Sequence, residues 1–188
     1  MSMNRMTANL PLRHLIGTAL LLCMPWTLTT ADTVGSEYAV KAAIVYKITK
    51  FISWPDAAFE SSTEPLTICL PADDPIRPAM TGLSGDTVHG RAIEIRPVET
   101  ESLDGLDCEV LFVSADSTTD AGPLIAQVDD EPVLTVGDGA DFNKVGGIVA
   151  MRVRKNRINF EINTDASTNA GLGISAQLLQ LAGVADKR

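Results

Sequence analysis

The sequence predicts an α/β fold: a single-domain layered sandwich with a largely parallel sheet, a C-terminal antiparallel hairpin and helices on both faces. Three observations carry that prediction. Short apolar runs at 66–70, 110–113 and 133–136 lack alternation and read as strands covered on both sides. Stretches with helical spacing separate them, as in βαβ units. Residues 149–162 then sort into one apolar and one polar face in a single antiparallel register.

The first thirty residues have a different character. Arg5 and Arg13 precede an apolar run from Leu15 to Leu28, interrupted by Pro25, and small or polar residues end at Ala31. This is the layout of a secretory signal peptide, expected to be cut after Ala31. A transmembrane span wants roughly 20 continuous apolar residues. Leu22, before Cys23, does not suit a lipoprotein signal. The predicted division is therefore a signal peptide over 1–31 and one exported domain over 32–188. A domain of that length buries roughly 70% of its unfolded surface in one core.

Within the domain, Ser36 is placed to cap a helix with an apolar stripe of Val40, Ile44, Ile48 and Phe51, and with Lys41, Lys47 and Lys50 elsewhere around it. Trp54-Pro55 ends it, because a residue before proline avoids helical geometry. After a polar loop at 60–64 come a strand at 66–70, an exit turn at 71–75 and a short helix at 76–83. Gly85, Asp86 and Gly90 mark a loop leading to a strand through Ile93 and Ile95. A strand follows at 110–113, a helix at 124–128 and a strand at 133–136.

If Lys155-Asn156 form a two-residue turn, Val153 faces Ile158, Met151 faces Phe160 and Val149 faces Ile162 on the apolar side. On the other side Arg154 meets Arg157, Arg152 meets Asn159 and Ala150 meets Glu161. The Arg154/Arg157 opposition places that end in solvent. Gly146-Gly147 allows a tight bend or bulge into the first strand. Residues 172–185 are dense in apolar side chains and predict a mostly buried helix.

Cys69 and Cys108 are the only cysteines of 32–188. In an oxidising compartment they are expected to pair, closing a loop of about 40 residues worth roughly 4 kcal/mol. The other possibility is two buried thiols. Cys69 sits late in its predicted strand and Cys108 early in its own, so parallel neighbours need a register offset to bring their Cα atoms within about 7 Å.

The whole chain has 188 residues, 24 acidic and 15 basic, with 45% hydrophobic and 5% aromatic content and a net charge of −9. Collagen, a disulfide-dense mini-protein and a disordered acidic tail are excluded. Nucleic-acid binding lacks its basic footprint. His89 is the only histidine of 32–188, which removes any multi-histidine metal site, and it lies in the 85–90 loop. There is no GxSxG elbow. Gly171, Gly173 and Ala176 match GxGxxA formally, without the βαβ context or the later acidic residue. Asp129, Asp130, Glu131, Asp138 and Asp141 read as a solvated face. No catalytic residue, metal or cofactor is predicted. Two binding features stand out: Trp54 at a helix end, as partner anchor or core cap, and the basic Arg152, Arg154 and Arg157, as anion contact or soluble hairpin face.

Several strings then converge. Residues 42–47 (AAIVYK) and 51–55 (FISWP) are followed by 66–69 (LTIC) and by Cys108 before 110–114 (VLFVS). Later come 132–136 (PVLTV), 146–148 (GGI), 156–163 (NRINFEIN) and 171–179 (GLGISAQLL). In this order, over about residues 36–185, they resemble the YfiR family of small periplasmic proteins.

The resemblance implies a non-enzymatic α/β repressor that binds the periplasmic region of an inner-membrane diguanylate cyclase and keeps cyclic di-GMP low, with consequences for biofilm regulation. It implies an OmpA-like outer-membrane lipoprotein that sequesters the repressor, a homodimer, and a structural Cys69–Cys108 disulfide. A second, redox-responsive cysteine pair carried by some members is lacking here. Phe51 and Trp54 become candidates for an apolar partner contact, with Arg152, Arg157 and Glu161 as polar candidates. A periplasmic small-ligand sensor and a carboxylate-based hydrolase are the alternatives from other classes.

Overall fold

In the central parallel strands, at 66–71, 110–113 and 134–137, nearly every residue is apolar and all are buried, so both faces of the sheet have to be covered there. The computed structural model describes residues 31–99, 107–154 and 157–184; the predicted signal peptide, apart from Ala31, lies outside them. The elements are α1 (Ala31–Thr49), β1 (Ile52–Ser53), β2 (Leu66–Pro71), α2 (Arg77–Thr81), β3 (Thr87–Val88), β4 (Arg91–Val98) and β5 (Val110–Val113). Then follow α3 (Ala121–Gln127), β6 (Leu134–Gly137), β7 (Val149–Arg154), β8 (Arg157–Ile162), α4 (Thr164–Asn169), β9 (Gly173–Ile174), α5 (Ala176–Leu181) and β10 (Gly183–Val184).

Eight strands form one sheet in the order β10-β8-β7-β6-β5-β2-β4-β3. The run from β4 through β2, β5 and β6 to β7 is parallel, and β8 returns antiparallel to β7. The predicted α/β class, parallel sheet and hairpin are therefore observed, with the register Val153↔Ile158, Met151↔Phe160 and Val149↔Ile162. A second, small sheet pairs β1 with β9.

Strand alternation divides the core in two. Ile68, Val110, Phe112, Leu134 and Val136 face a layer containing Ala42, Val45 and Ile48 of α1, Met80 of α2 and Leu178 of α5. Cys69, Leu111, Val113 and Ala150 face Leu124 and Ile125 of α3. Fully burying a Val, Leu, Ile or Phe side chain contributes roughly 2 kcal/mol, so both layers are needed.

The structure corrects four expectations. Helix α1 spans Ala31–Thr49, so position 36 lies within it and not at its N-cap. Its buried face runs through Lys41, Ala42, Val45, Ile48 and Thr49, while Val40 is 48% exposed. The 85–90 loop contains β3, and His89 (φ 51°) and Gly90 (φ 81°) join it to β4 as a two-residue turn with both φ positive. Residues 172–184, the described part of the predicted 172–185 helix, do not form one buried helix. They hold β9, the six-residue α5 capped by Ser175, and β10, and Leu181 is 69% exposed. Glycines 173 and 183 sit in the two strands there, where a short bridge wins over helical propensity.

Cys69 and Cys108 form a disulfide with Cα atoms 5.8 Å apart. Cys108 lies two residues ahead of β5, not within it. Ile68 and Cys69 pair with Val110 and Leu111, so the chain before Val110 bends back to bring Cys108 to the Cys69 side chain. That bend supplies the offset that strand register alone does not.

Candidate functional site

Strand order reverses at β2. The chain passes from β2 to β4 on one side, then returns across β2 to β5 on the other. Open α/β sheets bind ligands outside the carboxyl ends of their strands at such a point. Here those ends present Asp73 and Asp74 after β2, Ser114 and Asp116 after β5, and Asp138 after β6. Asp74 accepts hydrogen bonds from the Ser114 N–H at 2.8 Å and the Ile76 N–H at 3.0 Å. The Thr118 hydroxyl donates to Asp73, and the Ala115 N–H to Asp138 at 2.5 Å.

Helix α1 closes the crevice with its own side chains. The Lys41 ammonium lies 2.5 Å from both Asp138 and Glu37, and the Lys41 and Asp138 side chains are only 5% and 6% exposed. The Tyr38 hydroxyl donates to Asp116 at 2.8 Å. Burial alone lowers the Lys41 pKa, but Asp138 and Glu37 outweigh it and the net direction is upward. Burial and the hydrogen bond to Asp116 push Tyr38 up to about 12. Burial raises Asp74 against its two N–H bonds, with Asp138 and Asp73 adding to the shift. Asp138 was expected on a solvated acidic face; the structure instead buries it against Lys41.

A pocket of about 300 Å³ opens beside β1, lined by Ile52, Trp54, Phe59, Leu66, His89 and Arg91 among others. The Trp54 indole packs partly on the main core, lies edge-on to Phe59 at 6.5 Å between centroids, and donates to the Glu109 carbonyl at 3.2 Å. The Arg91 guanidinium stacks on Phe59 at 3.6 Å and donates to the Ser61 and Glu64 carbonyls. Trp54 is thus core cap and pocket wall at once. Phe51 is half-buried against the same core, and its carbonyl accepts from the Ser175 N–H.

The β7–β8 hairpin borders a wide cleft of about 820 Å³ that includes Asn143, Lys144, Arg152, Arg154, Glu161 and Asp165 in its lining. Arg152 bonds Glu161 at 3.2 Å, and Arg154 reaches the same carboxylate at 3.9 Å. Arg157 stands directly opposite Arg154, and both are exposed.

The sequence pattern of YfiR/HmsC-like proteins matches residues 38–183, which span every element but the ends of α1 and β10. The chain belongs to the YfiR/HmsC-like family. This is a periplasmic, regulatory and non-catalytic family that works in the diguanylate cyclase pathway with a membrane cyclase as partner. Among the described residues no helix is long and apolar enough to cross a membrane.

The residues predicted for this YfiR/HmsC-like chain fall into two groups. Phe51 and Trp54 flank β1, with Trp54 lining the pocket there, whereas Arg152, Arg157 and Glu161 lie on the hairpin, and neither the pocket nor the hairpin cleft contains both groups. Arg152 and Glu161 are brought together as an ion pair; Arg157 stands apart from them at the hairpin end. Sequence reasoning missed the Tyr38, Lys41, Asp74, Asp116 and Asp138 cluster. Its one available signal was position: Asp74, Asp116 and Asp138 each follow an apolar run closely, where a strand's carboxyl end lies.

Proposed function

We propose that this YfiR/HmsC-like protein represses an inner-membrane diguanylate cyclase by binding its periplasmic region, and so lowers cyclic di-GMP. The family match over residues 38–183 carries the reading. Repression follows from population shift: a protein that binds the inactive conformation of the cyclase better holds it there by that difference in affinity. An OmpA-like outer-membrane lipoprotein relieves repression by competing for the free repressor. The protein acts as a homodimer, without enzymatic activity, and reaches the periplasm after loss of residues 1–31. Phe51 and Trp54 supply an apolar anchor, and Arg152, Arg157 and Glu161 a polar contact.

The test is genetic and then biochemical. Deleting the gene is expected to raise cellular cyclic di-GMP, with rescue by the secreted form and none by a form lacking residues 1–31. No change in cyclic di-GMP, where the protein is made, overturns the reading. Trp54→Ala separates anchor from core: loss of cyclase binding at unchanged melting temperature assigns it to the contact, and loss of the fold assigns it to the core.

One observation favours a second reading, a small-ligand sensor. The 300 Å³ pocket presents two aromatic rings, His89 and Arg91 around an apolar floor. The crevice at the strand ends does not favour it, because Lys41 and Tyr38 occupy that place. A thermal-shift screen finding a saturable stabiliser, abolished in Phe59→Ala, would establish it.

A further inference from the structure

The hairpin extends past the strands that flank it. Strand β6 pairs with β7 only at Val149 and Ala150, and β10 pairs with β8 only at Glu161 and Ile162. Met151–Arg154 therefore has β8 on one side and no strand on the other among the described residues. Arg154 pairs with Arg157 at the end of the arm, and the two residues between them lie outside the described residues. A closing pair exchanges its own hydrogen bonds, which turns the N–H and C=O of Val153 outward.

Both faces of this arm are incompletely covered toward its tip, from Arg152 onward. Val153, on the apolar face, is 50% exposed. On the polar face two guanidiniums share one carboxylate: Arg152 and Arg154 both reach Glu161, whereas Arg157 has no ion pair among the described residues. Asp129 and Asp165 line the cleft beside Arg152, so the excess of positive charge lies toward the tip, at Arg154 and Arg157. Like charges directly opposite on paired strands are unfavourable, and an incoming carboxylate relieves that. This cationic tip belongs to a chain of net charge −9.

We infer that the β7 edge of this arm docks an extended segment of the partner protein, one in which acidic and apolar residues alternate. The inference deepens the proposed cyclase contact and rests on that reading for the partner's identity. Strand addition pairs the free main-chain groups of Val153 and gives side chains a period of two. Alternate residues of the added strand then fall beside Arg152 and Arg154, where carboxylates fit, and between them beside the exposed Val153, where an apolar group fits; Met151 is fully buried and lies outside the docking edge. A second copy docking arm to arm would set guanidiniums against guanidiniums, which disfavours self-pairing here.

The experiment uses the purified, disulfide-bonded protein and two fluorescein-labelled decapeptides, one alternating Glu and Val, the other Lys and Val, read by anisotropy. The Glu peptide is expected to bind at least about tenfold more tightly, and added salt to weaken it. The double substitution Arg154→Glu/Arg157→Glu is expected to cost about tenfold, and Val153→Pro, which removes an edge N–H, a similar factor. All three positions are exposed, so melting temperatures should hold. Equal binding of the two peptides, or full binding by both variants, overturns the proposal. So does light scattering that shows a dimer dissociated by Val153→Pro. Peptide discrimination with unchanged cyclic di-GMP on gene deletion leaves the arm standing and removes the cyclase; raised cyclic di-GMP without discrimination does the reverse.

Discussion

The Lys41 ammonium sits 2.5 Å from Asp138, with both side chains almost wholly out of water, and so ties the first helix to the carboxyl end of β6. Removing one partner of such a pair leaves a buried charge uncompensated. Lys41→Met is expected to cost about 3 kcal/mol in urea unfolding, and Asp138→Asn a comparable amount. The double variant should lose clearly less than the sum of the two, because each single change includes the orphaned partner. Strict additivity would show that the pair is not coupled.

The same cluster sets an alkaline limit. Lys41 is raised above 10.5 and Tyr38 from 10.0 to about 12, so the folded state holds both protons more tightly than the unfolded chain. Their contribution is complete below the ordinary values and is lost as pH rises through the folded ones. Stability should therefore fall from about pH 10 to 12, and the fall should flatten in Tyr38→Phe/Lys41→Met. Urea midpoints across that range, for both proteins, measure the difference.

The disulfide closes a sequence separation of 39 residues between β2 and the approach to β5. Cys69→Ser/Cys108→Ser is expected to lower stability by about 4 kcal/mol, chiefly by freeing the unfolded chain. Adding reductant to the wild type should reproduce the loss and leave the double variant unchanged.

Phe142 is held between two glycines. A Cβ on Gly147 would stand 2.2 Å from its ring and 2.8 Å from its carbonyl oxygen; one on Gly137 would stand 2.3 Å from the ring and 2.7 Å from the Val113 carbonyl. Backbone oxygens cannot move aside as a side chain does. Gly137→Ala and Gly147→Ala are each expected to cost about 2 kcal/mol or more, whereas Gly139→Ala, with open space around it, should be near neutral. Thermal melts of the three variants provide the comparison.

Parts of this fold were legible because their physics is local. Strands β2, β5 and β6 are short apolar runs, and the β7–β8 register follows from alternation and a two-residue turn alone. The short pieces were not legible. Strands β1, β3, β9 and β10 have two residues each, too few for any period, and form because folding brings their partners alongside. Helix α4 is polar and hides from a hydrophobic reading, although Asn163 caps it by accepting from the Ala166 N–H.

The candidate site divides the same way. Trp54 stood out by residue type and its place before Pro55, and the structure puts it on a pocket. The sequence places Lys41 only off the apolar stripe of its helix, because a lysine scored alone belongs on the wet face.

The sequence by itself determined the strand runs, the hairpin register, the only two cysteines of the domain that can pair and the family. Tertiary structure alone decided which face of α1 is buried, how the chain bends to bring Cys108 to Cys69, and that Lys41, Asp138, Tyr38 and Asp116 meet over the strand ends. The reason is that periodicity assigns each residue to water or core by its own solvation. A charge is buried only when a distant part of the chain delivers its counter-charge, and that delivery is a property of the assembled sheet.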